Sequence, residues 1–522
     1  MRFNILIGGR AGQGINELAN ILSRALGKAG FYVFNYRDYG SLITGGHNFN
    51  ILCISDKKIG SFDYKYDVVL ALNKETLEIH RQNFHKNTTF IINFNENREN
   101  FIFLNANKDK TENMAFATAL FKILGLEKDY LLDEVKKRFA GKSMLEKDIE
   151  VIEHFYSKDF DKEIKVNHEK TSKVVLNGAE GTAKGAVISG VDVYFAYPMT
   201  PATTLLNFLA KEQDKIFFAY TFEDEISCAN AGVGASFSGN RAMIGTSGGG
   251  FDLMTEALSL QGMTELPLVV YLAQRPGPST GVPTYTGQND LLVACFGGHG
   301  EFSRVVIAPG NAKECIEKTN EAFYLAEKFG VTSIILTDKH LVESDFSFNE
   351  FKLKEIKIPE RKLKPGMPGI LFRRSSYEHD SDWNNAEDAK NVKESFEKRL
   401  EKQKMLEKEA KKFEMYKIYG KGKDLIIGWG STKGAILDAL DSLDARFLQI
   451  LYMSPFPKEI SGFIKNARTV FIVENNATSQ LSKLVAQNTG FIIEDRNKIL
   501  KFDGRPFIPQ EIIDELKKRG VK

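Results

Sequence analysis

The sequence contains few cysteines, and none of them has the spacing of a metal site. Its four cysteines lie far apart and form no Cys-x-x-Cys pair. They are Cys53, Cys228, Cys295 and Cys315. This spacing excludes a zinc ribbon or a ferredoxin-type cluster held by this chain alone, and it provides no disulfide framework. Any iron–sulfur chemistry would therefore need cysteines from another chain.

Long apolar runs and an excess of one charge are also lacking. No apolar run reaches the roughly 20 residues that cross a bilayer, and the first residues lead into a strand pattern rather than a signal peptide. The chain has 70 Lys and Arg against 68 Asp and Glu, a net charge of +2. We therefore expect a cytoplasmic protein for which neither nucleic acid nor an anionic membrane is the main partner.

Apolar strands, glycine turns and helical patterns alternate along the chain, which is typical of an α/β fold. With 522 residues the chain is too long for a single core. We predict an α/β domain over 1–165, a second over 170–350, a charged helical linker over 351–420 and a third α/β domain over 421–522. The polar stretch 159–173 separates the first two domains.

The apolar runs locate the strands of each domain. In the first domain they predict strands at 3–7, 32–34, 50–54, 68–72 and 89–93. In the second they predict strands at 193–196, 217–221, 242–246, 268–272, 302–307 and 332–336. In the third they predict a strand from Asp424, two more at 447–450 and 470–473, and a further one at 491–493. Helices are predicted between the strands, among them a glycine- and alanine-rich helix over 225–237.

A glycine-rich turn, Gly9-Arg10-Ala11-Gly12-Gln13-Gly14, joins the first strand to the first helix. Such a turn can direct backbone N–H groups at an anion. Its glycine order is not the dinucleotide order Gly-x-Gly-x-x-Gly, and no acidic residue ends the next strand. A nucleotide site, a structural turn and a partner-facing surface all remain open.

The stretch Tyr197-Pro198-Met199-Thr200-Pro201 follows the strand at 193–196. Its two prolines restrict the backbone on either side of Thr200, so the hydroxyl is presented from a stiff loop. The alternative is an ordinary strand-to-helix turn in which Thr200 or Thr203 caps the helix.

Two other features have a functional and a structural interpretation. The small residues of the helix at 225–237 allow a ligand to come close, or they allow tight packing of the helix on a sheet. The cluster Glu378-His379-Asp380 could bind a metal or act in acid–base catalysis, or it could be a solvated polar loop.

With these landmarks, the chain resembles an α subunit of the 2-oxoacid:ferredoxin oxidoreductases that carries a γ domain at its N-terminus. The glycine turn and Tyr39-Gly40 resemble the γ module. Four strings resemble the pyrimidine-binding domain: Tyr197 to Pro201, Glu223-Asp224-Glu225, Thr246 to Gly250, and Gln274 to Thr284. Pro455-Phe456-Pro457 and Glu474-Asn475-Asn476 resemble a transketolase-C-type domain. The order and spacing of these strings are more specific than any one of them.

The resemblance implies roles for individual residues. Glu225 matches the carboxylate that activates thiamine diphosphate, and Tyr197 and Pro198 would contact that cofactor. Thr200 and Arg275 match the residues that hold the 2-oxoacid. The alternatives are that Glu225 is a helix-terminal charge that interacts with the dipole and that Arg275 belongs to a structural ion pair.

Three positions depart from the family pattern. Met199 replaces a more common isoleucine, Thr44 replaces an arginine of the γ module, and Ser479 replaces a glycine after Glu474-Asn475-Asn476. The change at Thr44 puts in doubt any anion or partner contact made by that arginine. The change at Ser479 weakens only a turn assignment.

The resemblance also implies partners and cofactors. Magnesium, the diphosphate-binding motif and a [4Fe-4S] cluster would lie on a β subunit, in an αβ heterodimer or its dimer. The reaction would convert a 2-oxoacid and CoA to acyl-CoA and CO2 while reducing ferredoxin. The γ–α fusion, the Thr246 to Gly250 string and the charged insert around Glu378-His379-Asp380 resemble the 2-oxoglutarate branch more than the pyruvate branch. Pyruvate, branched-chain or broad 2-oxoacid specificity is the alternative. A non-catalytic scaffold or electron-transfer subunit, and a dinucleotide-dependent oxidoreductase, are the other classes considered.

Overall fold

The computed structural model describes residues 2–41, 45–96, 99–212, 218–361, 364–369 and 371–522. Thr44 and Phe217, the first residue of a predicted strand, lie outside these ranges. The chain divides into two compact units, Met1–Leu176 with Ser344–Lys352 and Asn177–Glu343 with Leu353–Lys522. The finer division into four segments stays a prediction. Within the described ranges, no helix is long and apolar enough to cross a membrane.

The first unit is built on a mixed sheet of eight strands. Numbered along the whole chain, they are β1 (Arg2–Ala11), β2 (Tyr32–Asp38), β3 (Gly45–Ser55), β4 (Tyr66–Ala71), β5 (Phe84–Ile92), β6 (Phe101–Phe103), β7 (Val174–Asn177) and β14 (Asp345–Phe348). Their order is β6-β5-β4-β1-β3-β2-β14-β7. β1 pairs in parallel with β4 and antiparallel with β3. All five strands predicted for this region are present.

Helices of the first unit cover the apolar strands. They are α1 (Ile15–Lys28), α2 (Lys74–Ile79), α3 (Glu112–Ile123), α4 (Lys128–Phe139) and α5 (Leu145–Ser157). Leu18, Leu22 and Leu26 recur at helical spacing on α1 and are buried against Ile5 and Ile7 of β1 in one hydrophobic cluster. This burial explains why the first apolar run and the helix after the glycine turn form as predicted.

The second unit is organised around a sheet of seven strands. Six of them are β8 (Val193–Ala196), β9 (Phe218–Thr221), β10 (Ala242–Thr246), β11 (Leu268–Gln274), β12 (Arg304–Ile307) and β13 (Thr332–Asp338). The helices between them are α6 (Gly178–Ile188), α7 (Thr203–Lys211), α8 (Glu225–Phe237), α9 (Gly248–Thr264), α10 (Leu291–Phe296), α11 (Ala312–Phe329) and α12 (Lys339–Glu343). β11 and β13 are buried along their whole length, as expected for parallel strands covered on both faces.

The C-terminal part of this unit forms a smaller sheet. Its strands are β15 (Tyr416–Gly420), β16 (Asp424–Trp429), β17 (Ala445–Ile450), β19 (Val470–Glu474) and β20 (Lys498–Leu500), and β18 (Tyr452–Ser454) joins the seven-stranded sheet instead. The helices are α13 (Ala389–Ala410), α14 (Thr432–Leu440), α15 (Ser461–Lys465), α16 (Gln480–Thr489) and α17 (Pro509–Lys518). Because β18 pairs antiparallel with β12, the two sheets share one body of the fold.

One predicted strand of this region is wrong. Residues 491–493 are not in a strand, and the side chain of Ile492 is 77% exposed. The edge strand of the sheet is β20, which pairs with β19. Only Ile493 of the apolar triplet is buried. The triplet therefore contacts the core through one side chain, and β20 forms the edge of the sheet instead.

A buried ion pair anchors the smaller sheet to α11. Lys433 Nζ, on α14, lies 2.5 Å from Glu314 Oε1. Gln449 Nε2 and the backbone N–H of Gly310 both donate to Glu314 Oε2 at 2.8 Å. Lys417 Nζ adds a contact of 3.3 Å to Glu314 Oε1. Burial of a carboxylate is tolerated here because both of its oxygens have partners.

Candidate active site

The sequence-predicted site residues follow the carboxyl ends of neighbouring parallel strands. In the sheet order β11-β10-β8-β9 these strands are adjacent, and all three pairings are parallel. Arg275 follows β11, Tyr197 follows β8, and Glu225 comes four residues after the end of β9. Because parallel strands end at one edge of the sheet, these side chains converge at the position where open α/β sheets bind ligands.

Thr200 and Arg275 are brought into direct contact, but through the backbone of Thr200. Arg275 Nη1 donates to the Thr200 carbonyl oxygen at 2.8 Å. The side chain of Arg275 is buried, and its Nε has no hydrogen-bond partner. Burial lowers the pKa of Arg275, while the nearby charges of Asp290 and Glu225 oppose that shift. No ion pair of Arg275 is present among the described residues, so the structural ion-pair interpretation has no support in the geometry.

The helix-capping alternative for the Thr200 loop is wrong. Helix α7 begins at Thr203, its N-cap residue is Ala202, and no side chain caps it. The loop closes instead through its backbone, since the N–H of Thr203 donates to the Met199 carbonyl at 3.0 Å. Thr200 is half-buried, whereas Tyr197 and Pro198 are exposed. These three side chains are therefore not needed to start the helix.

Glu225 is a buried carboxylate at the first turn of α8. The helix is capped by Asp224, which accepts a hydrogen bond from the Ser227 N–H at 2.7 Å. Glu225 is only 4% exposed, and its Oε1 has no hydrogen-bond partner. Since Asp224 already supplies the capping interaction, the Glu225 carboxylate is left available for a ligand.

The first turn of α9 forms a floor beside these residues. A Cβ atom on Gly250 would lie 2.6 Å from Glu225 Oε1, and one on Gly248 would lie 2.5 Å from Asp290 Oδ2. Real Cβ atoms do not come that close to an oxygen, so a larger residue at either position would displace the neighbouring carboxyl group. The Thr246 to Gly250 string therefore lets two acidic side chains approach one helix end.

Several buried polar atoms at this edge lack hydrogen-bond partners. They are Glu225 Oε1, Ser247 Oγ, Arg275 Nε, Thr284 Oγ1 and Asp290 Oδ2. Buried polar groups are normally paired, because leaving one unpaired costs about 1 to 3 kcal/mol. A set of such atoms on segments that follow adjacent strands is characteristic of a site that pairs them with a ligand or a partner.

Asp290 was missed by the sequence analysis. It stands at the N-cap position of α10 without capping it, and its backbone N–H donates to Gln274 Oε1 at 2.9 Å. Burial raises the pKa of Asp290 to about 7; Asp252 adds to the rise and Arg275 opposes it. In the sequence, an aspartate just before a helix indicates a cap, so nothing marked it as a site residue.

Gln288 was missed as well, and it fixes the loop that carries Asp290. Its side chain donates to the Trp429 carbonyl at 2.9 Å and accepts from the Asn475 N–H at 2.9 Å. Asn476 Nδ2 donates to the Gln288 carbonyl at 3.1 Å. The Glu474-Asn475-Asn476 string thus holds the end of the Arg275 loop. Ser479, where the family has glycine, adopts a left-handed backbone and donates to Glu474 Oε1 at 2.9 Å, so this turn persists.

Of the two proposed uses of the small residues of α8, the structure shows the packing use at one position. A Cβ atom on Gly232 would lie 2.6 Å from a methyl group of Ile244 on β10, whereas one on Gly234 would meet nothing within 4 Å. Gly232 therefore serves helix–sheet packing, and Gly234 faces open space.

The Glu378-His379-Asp380 cluster is structural. Glu378 Oε2 pairs with Arg399 of α13 at 2.5 Å, and the His379 ring stacks on Trp383 with centroids 3.8 Å apart. Asp380 accepts the backbone N–H groups of Asp382 and Asn384. No group of three or more metal-ligating side chains with the geometry of a metal site is found among the described residues.

The N-terminal glycine turn borders a cavity of about 1010 Å³. Gly12 and Gly14 have left-handed backbones, with φ of 93° and 74°. Charged residues of both signs line the wall. The basic ones are Arg10, Lys74, Lys108, Lys110 and Lys142, and the acidic ones are Glu17, Asp109, Glu112 and Asp148. With both signs present in similar number, the charge of this cavity does not select a phosphate over other ligands.

Comparison with known proteins decides the family. A family model described as the thiamine-diphosphate-binding domain of pyruvate flavodoxin/ferredoxin oxidoreductase matches residues 184–411, and a second, described as pyruvate ferredoxin/flavodoxin oxidoreductase, matches 4–157. The 2-oxoglutarate synthase subunit KorA of Archaeoglobus fulgidus is 30% identical, over 65% of this chain and 97% of the relative. The chain belongs to the 2-oxoacid:ferredoxin oxidoreductases.

Relatives that match over the whole length of the chain identify the subunit. The α subunit of the 2-oxoacid:ferredoxin oxidoreductase of Sulfolobus sp is 29% identical, over 99% of this chain and 96% of the relative. The fold is that of a 2-oxoglutarate:ferredoxin oxidoreductase structure from Magnetococcus marinus, with a TM-score of 0.87, 24% identity and 99% of both chains covered. This chain is an α subunit of the family with a γ-type domain at its N-terminus, and it works in a complex of several subunits.

The residues present fit thiamine diphosphate, the cofactor named for the matched domain. A pyrimidine nitrogen that shares a proton with a carboxylate needs a buried acceptor without another partner, and Glu225 Oε1 meets this requirement. Gly250 keeps the space beside that oxygen free of a side chain. The expected cofactor is therefore compatible with the local geometry.

Proposed function

We propose that this chain supplies half of the active site of a CoA-dependent 2-oxoacid:ferredoxin oxidoreductase. The enzyme converts a 2-oxoacid, CoA and oxidised ferredoxin to acyl-CoA, CO2 and reduced ferredoxin. The observation that carries the proposal is the buried carboxylate of Glu225, whose Oε1 has no partner, within the region matched by the thiamine-diphosphate-binding domain.

Glu225 is the activating residue of this proposal. When bound, thiamine diphosphate would supply a nucleophilic carbon at C2 of its thiazolium, formed with the help of its own 4′-amino group, and a ring that takes up the electron pair left by CO2. Glu225 holds the proton shared with pyrimidine N1′ and so raises the basicity of the amino group. Its burial at 4% exposure excludes water from that proton. Tyr197 and Pro198 contact the cofactor from the loop after β8, the strand next to β9 in the sheet.

Arg275 and Thr200 orient the 2-oxoacid. The guanidinium is anchored by one donor to the Thr200 carbonyl, which leaves other N–H donors for the substrate carboxylate. The Thr200 hydroxyl lies in the same loop and offers a second contact. A very tight grip on the ground-state carboxylate would oppose loss of CO2, so this pair acts mainly by positioning.

A β subunit completes the site. Four large apolar side chains around Glu225 and Arg275 are 40–51% exposed, namely Tyr197, Ile226, Leu253 and Val282. Apolar residues grouped around a polar site are typical of a surface that another protein covers. The partner would provide the magnesium and diphosphate ligands and the cysteines of a [4Fe-4S] cluster, in a cytoplasmic αβ heterodimer or its dimer, with ferredoxin as acceptor.

The substrate favoured by the comparisons is 2-oxoglutarate. The relatives from Archaeoglobus fulgidus and Methanocaldococcus jannaschii are named 2-oxoglutarate synthase subunits. The Magnetococcus marinus structure contains 2-oxoglutarate, coenzyme A and succinyl-CoA. Pyruvate is the second candidate, because the descriptions of both matching family models name pyruvate oxidoreductases.

The test is reduction of ferredoxin by the purified complex with CoA and each of several 2-oxoacids. We expect the largest kcat/KM for 2-oxoglutarate. A large preference for pyruvate would contradict the 2-oxoglutarate assignment but not the reaction class. Absence of turnover with every 2-oxoacid, in a complex that binds thiamine diphosphate, would favour the scaffold interpretation. Saturable binding of NAD(P)H would instead favour a dinucleotide-dependent enzyme.

A further inference from the structure

Asp290 is a third charged residue at this edge of the sheet, in addition to Glu225 and Arg275, and its charge acts on Arg275. It follows Gln274 and Arg275 on the same loop, and the side chain of Gln274 holds its backbone N–H. Its carboxyl group packs against the first turn of α9, where a Cβ atom on Gly248 would lie 2.5 Å from Oδ2. Neither the family comparisons nor the sequence motifs assign a role to this side chain.

The carboxyl oxygen Oδ2 is buried and has no hydrogen-bond partner. The guanidinium of Arg275 is directed to the Thr200 carbonyl at 2.8 Å and forms no ion pair with Asp290 within 4.0 Å. Asp290 as a residue is half-buried, but a carboxylate oxygen that is shielded from water and unpaired is costly, and the cost falls if the group is protonated. The arrangement thus shifts the carboxyl group of Asp290 towards its neutral form.

We propose that Asp290 is a positioning residue whose protonation controls how strongly Arg275 binds the carboxylate of the 2-oxoacid. In the neutral form, Asp290 leaves the positive charge of Arg275 available to the substrate. In the ionised form, Asp290 competes for that charge and repels the substrate carboxylate. This inference rests on the proposed function, because it takes Arg275 to be the substrate ligand.

The charges that face Asp290 from each neighbouring element agree with such a switch. Asp252, on α9, and burial both raise the pKa of Asp290, and Arg275 lowers it, with a result of about 7. Glu225, on α8, acts on Arg275. A group with this pKa changes its charge in the range where the enzyme would be assayed, whereas the substrate carboxylate stays ionised throughout.

The expected effect follows from linkage. A bound carboxylate raises the pKa of Asp290, and each unit of that rise is a tenfold difference in substrate affinity between the two forms. Taking a rise of about one unit from a like charge in the same pocket, KM should increase roughly tenfold between pH 6 and pH 8.5. The value of kcat should change little, because Asp290 does not touch the reacting carbon.

The experiment measures KM and kcat for the 2-oxoacid from pH 5.5 to pH 9 in the complete complex, at saturating CoA and ferredoxin. It is paired with the inhibition constant of oxalate, a carboxylate that is fully ionised over this range. Asp290→Asn should keep the wild-type KM at pH 6 within about threefold and remove the rise of both constants above pH 7. Asp252→Asn changes an exposed residue and should move the midpoint of the rise to lower pH without removing it.

The outcomes are separable. A wild-type complex that turns over no 2-oxoacid contradicts the proposed function. A wild-type complex that is active but whose KM and oxalate inhibition do not vary with pH contradicts the Asp290 inference alone. The inference is also wrong if Asp290→Asn retains the wild-type pH profile. If Asp290→Asn fails to assemble, the Asp252→Asn shift decides, since a purely structural Asp290 predicts no shift of the midpoint.

Discussion

Arg275 Nη1 donates a hydrogen bond to the backbone carbonyl oxygen of Thr200 at 2.8 Å. This bond joins the loop after β11 to the loop after β8, which are separated in the sheet by β10. It fixes the plane of the guanidinium and leaves Nε without a partner. The two residues that the sequence predicts as separate substrate contacts are therefore one connected unit.

Replacement of Arg275 should weaken substrate binding. Arg275→Lys keeps the charge but loses the planar fork, so we expect a loss of about 1.5 to 3 kcal/mol, or about 10- to 150-fold in kcat/KM for the 2-oxoacid. Most of the loss should appear in KM. Steady-state kinetics of the complex measure it.

Arg241→Lys is the matched control for this substitution. Arg241 precedes the first residue of β10, at the opposite edge of the sheet, so its replacement should leave kcat/KM unchanged. An Arg275→Lys enzyme with wild-type KM would mean that Arg275 does not bind the substrate.

Gly250→Ala should inactivate the enzyme through Glu225. The new methyl group would lie 2.6 Å from Glu225 Oε1 and closer still to Thr246 Oγ1, so the carboxylate must move. Acid–base catalysis contributes about 100- to 10,000-fold to a rate, and we expect much of that factor to be lost. The measurement is kcat for CoA-dependent ferredoxin reduction.

Gly234→Ala provides the comparison for Gly250→Ala. A Cβ atom at Gly234 meets nothing within 4 Å, and alanine is the better helix former by about 0.5 to 1 kcal/mol. This variant should keep its activity and gain slight thermal stability. Equal activity of the two variants would show that the space beside Glu225 is not used.

The buried ion pair between Glu314 and Lys433 should make the second unit sensitive to acid. Burial alone would raise the pKa of Glu314, but the charges of Lys433 and Lys417 lower it to about 2. A carboxyl group whose pKa is lowered by folding stabilises the folded state at every pH above the pKa that it has in the unfolded chain, which for Glu314 is 4.5. That contribution is lost as the pH falls from about 4.5 towards 2.

Lys433→Met removes the main partner of Glu314 and should destabilise the protein by about 3 kcal/mol, the lower end of the range for a broken buried pair, because Lys417 remains. Urea unfolding followed by the fluorescence of buried Trp429 reports this change. Lys411→Ala breaks an exposed pair with Glu459 and should cost less than about 1 kcal/mol. Similar losses in both variants would contradict the assigned importance of the Glu314 pair.

Much of this fold and part of the site follow from local sequence patterns. The strand at 193–196 and the helix at 225–237 have the predicted bounds, because apolar runs, an Asp224 cap and glycine turns all favour the same structure. Glu225, Thr200 and Arg275 stand at strand ends, and the parallel order of the strands brings those ends to one edge.

The features that were missed depend on contacts between distant segments. Gln288 is recognisable only through its bonds to Trp429 and Asn475, which lie 141 and 187 residues further along the chain. Asp290 looks like a helix cap until Gly248 and Arg275 are placed beside it. The error at 491–493 has the same origin, since tertiary pairing gives the sheet edge to β20. Local propensity contains no information about such pairings.

The central claim is that Glu225 activates thiamine diphosphate, and the rate of exchange of the cofactor's thiazolium C2 proton with deuterium tests it most directly. This exchange is measured by quenched-flow NMR on the complete complex and needs no 2-oxoacid, CoA or ferredoxin. Glu225→Gln keeps the shape of the side chain but cannot share a proton with N1′ as a carboxylate does. Glu223→Gln, at an exposed position two residues earlier, is the matched control.

We expect exchange in Glu225→Gln to be at least about 100-fold slower than in the wild type, with cofactor affinity changed by less than about tenfold. Glu223→Gln should exchange at the wild-type rate. Wild-type exchange in a Glu225→Gln complex that still binds thiamine diphosphate would show that Glu225 is not the activating residue.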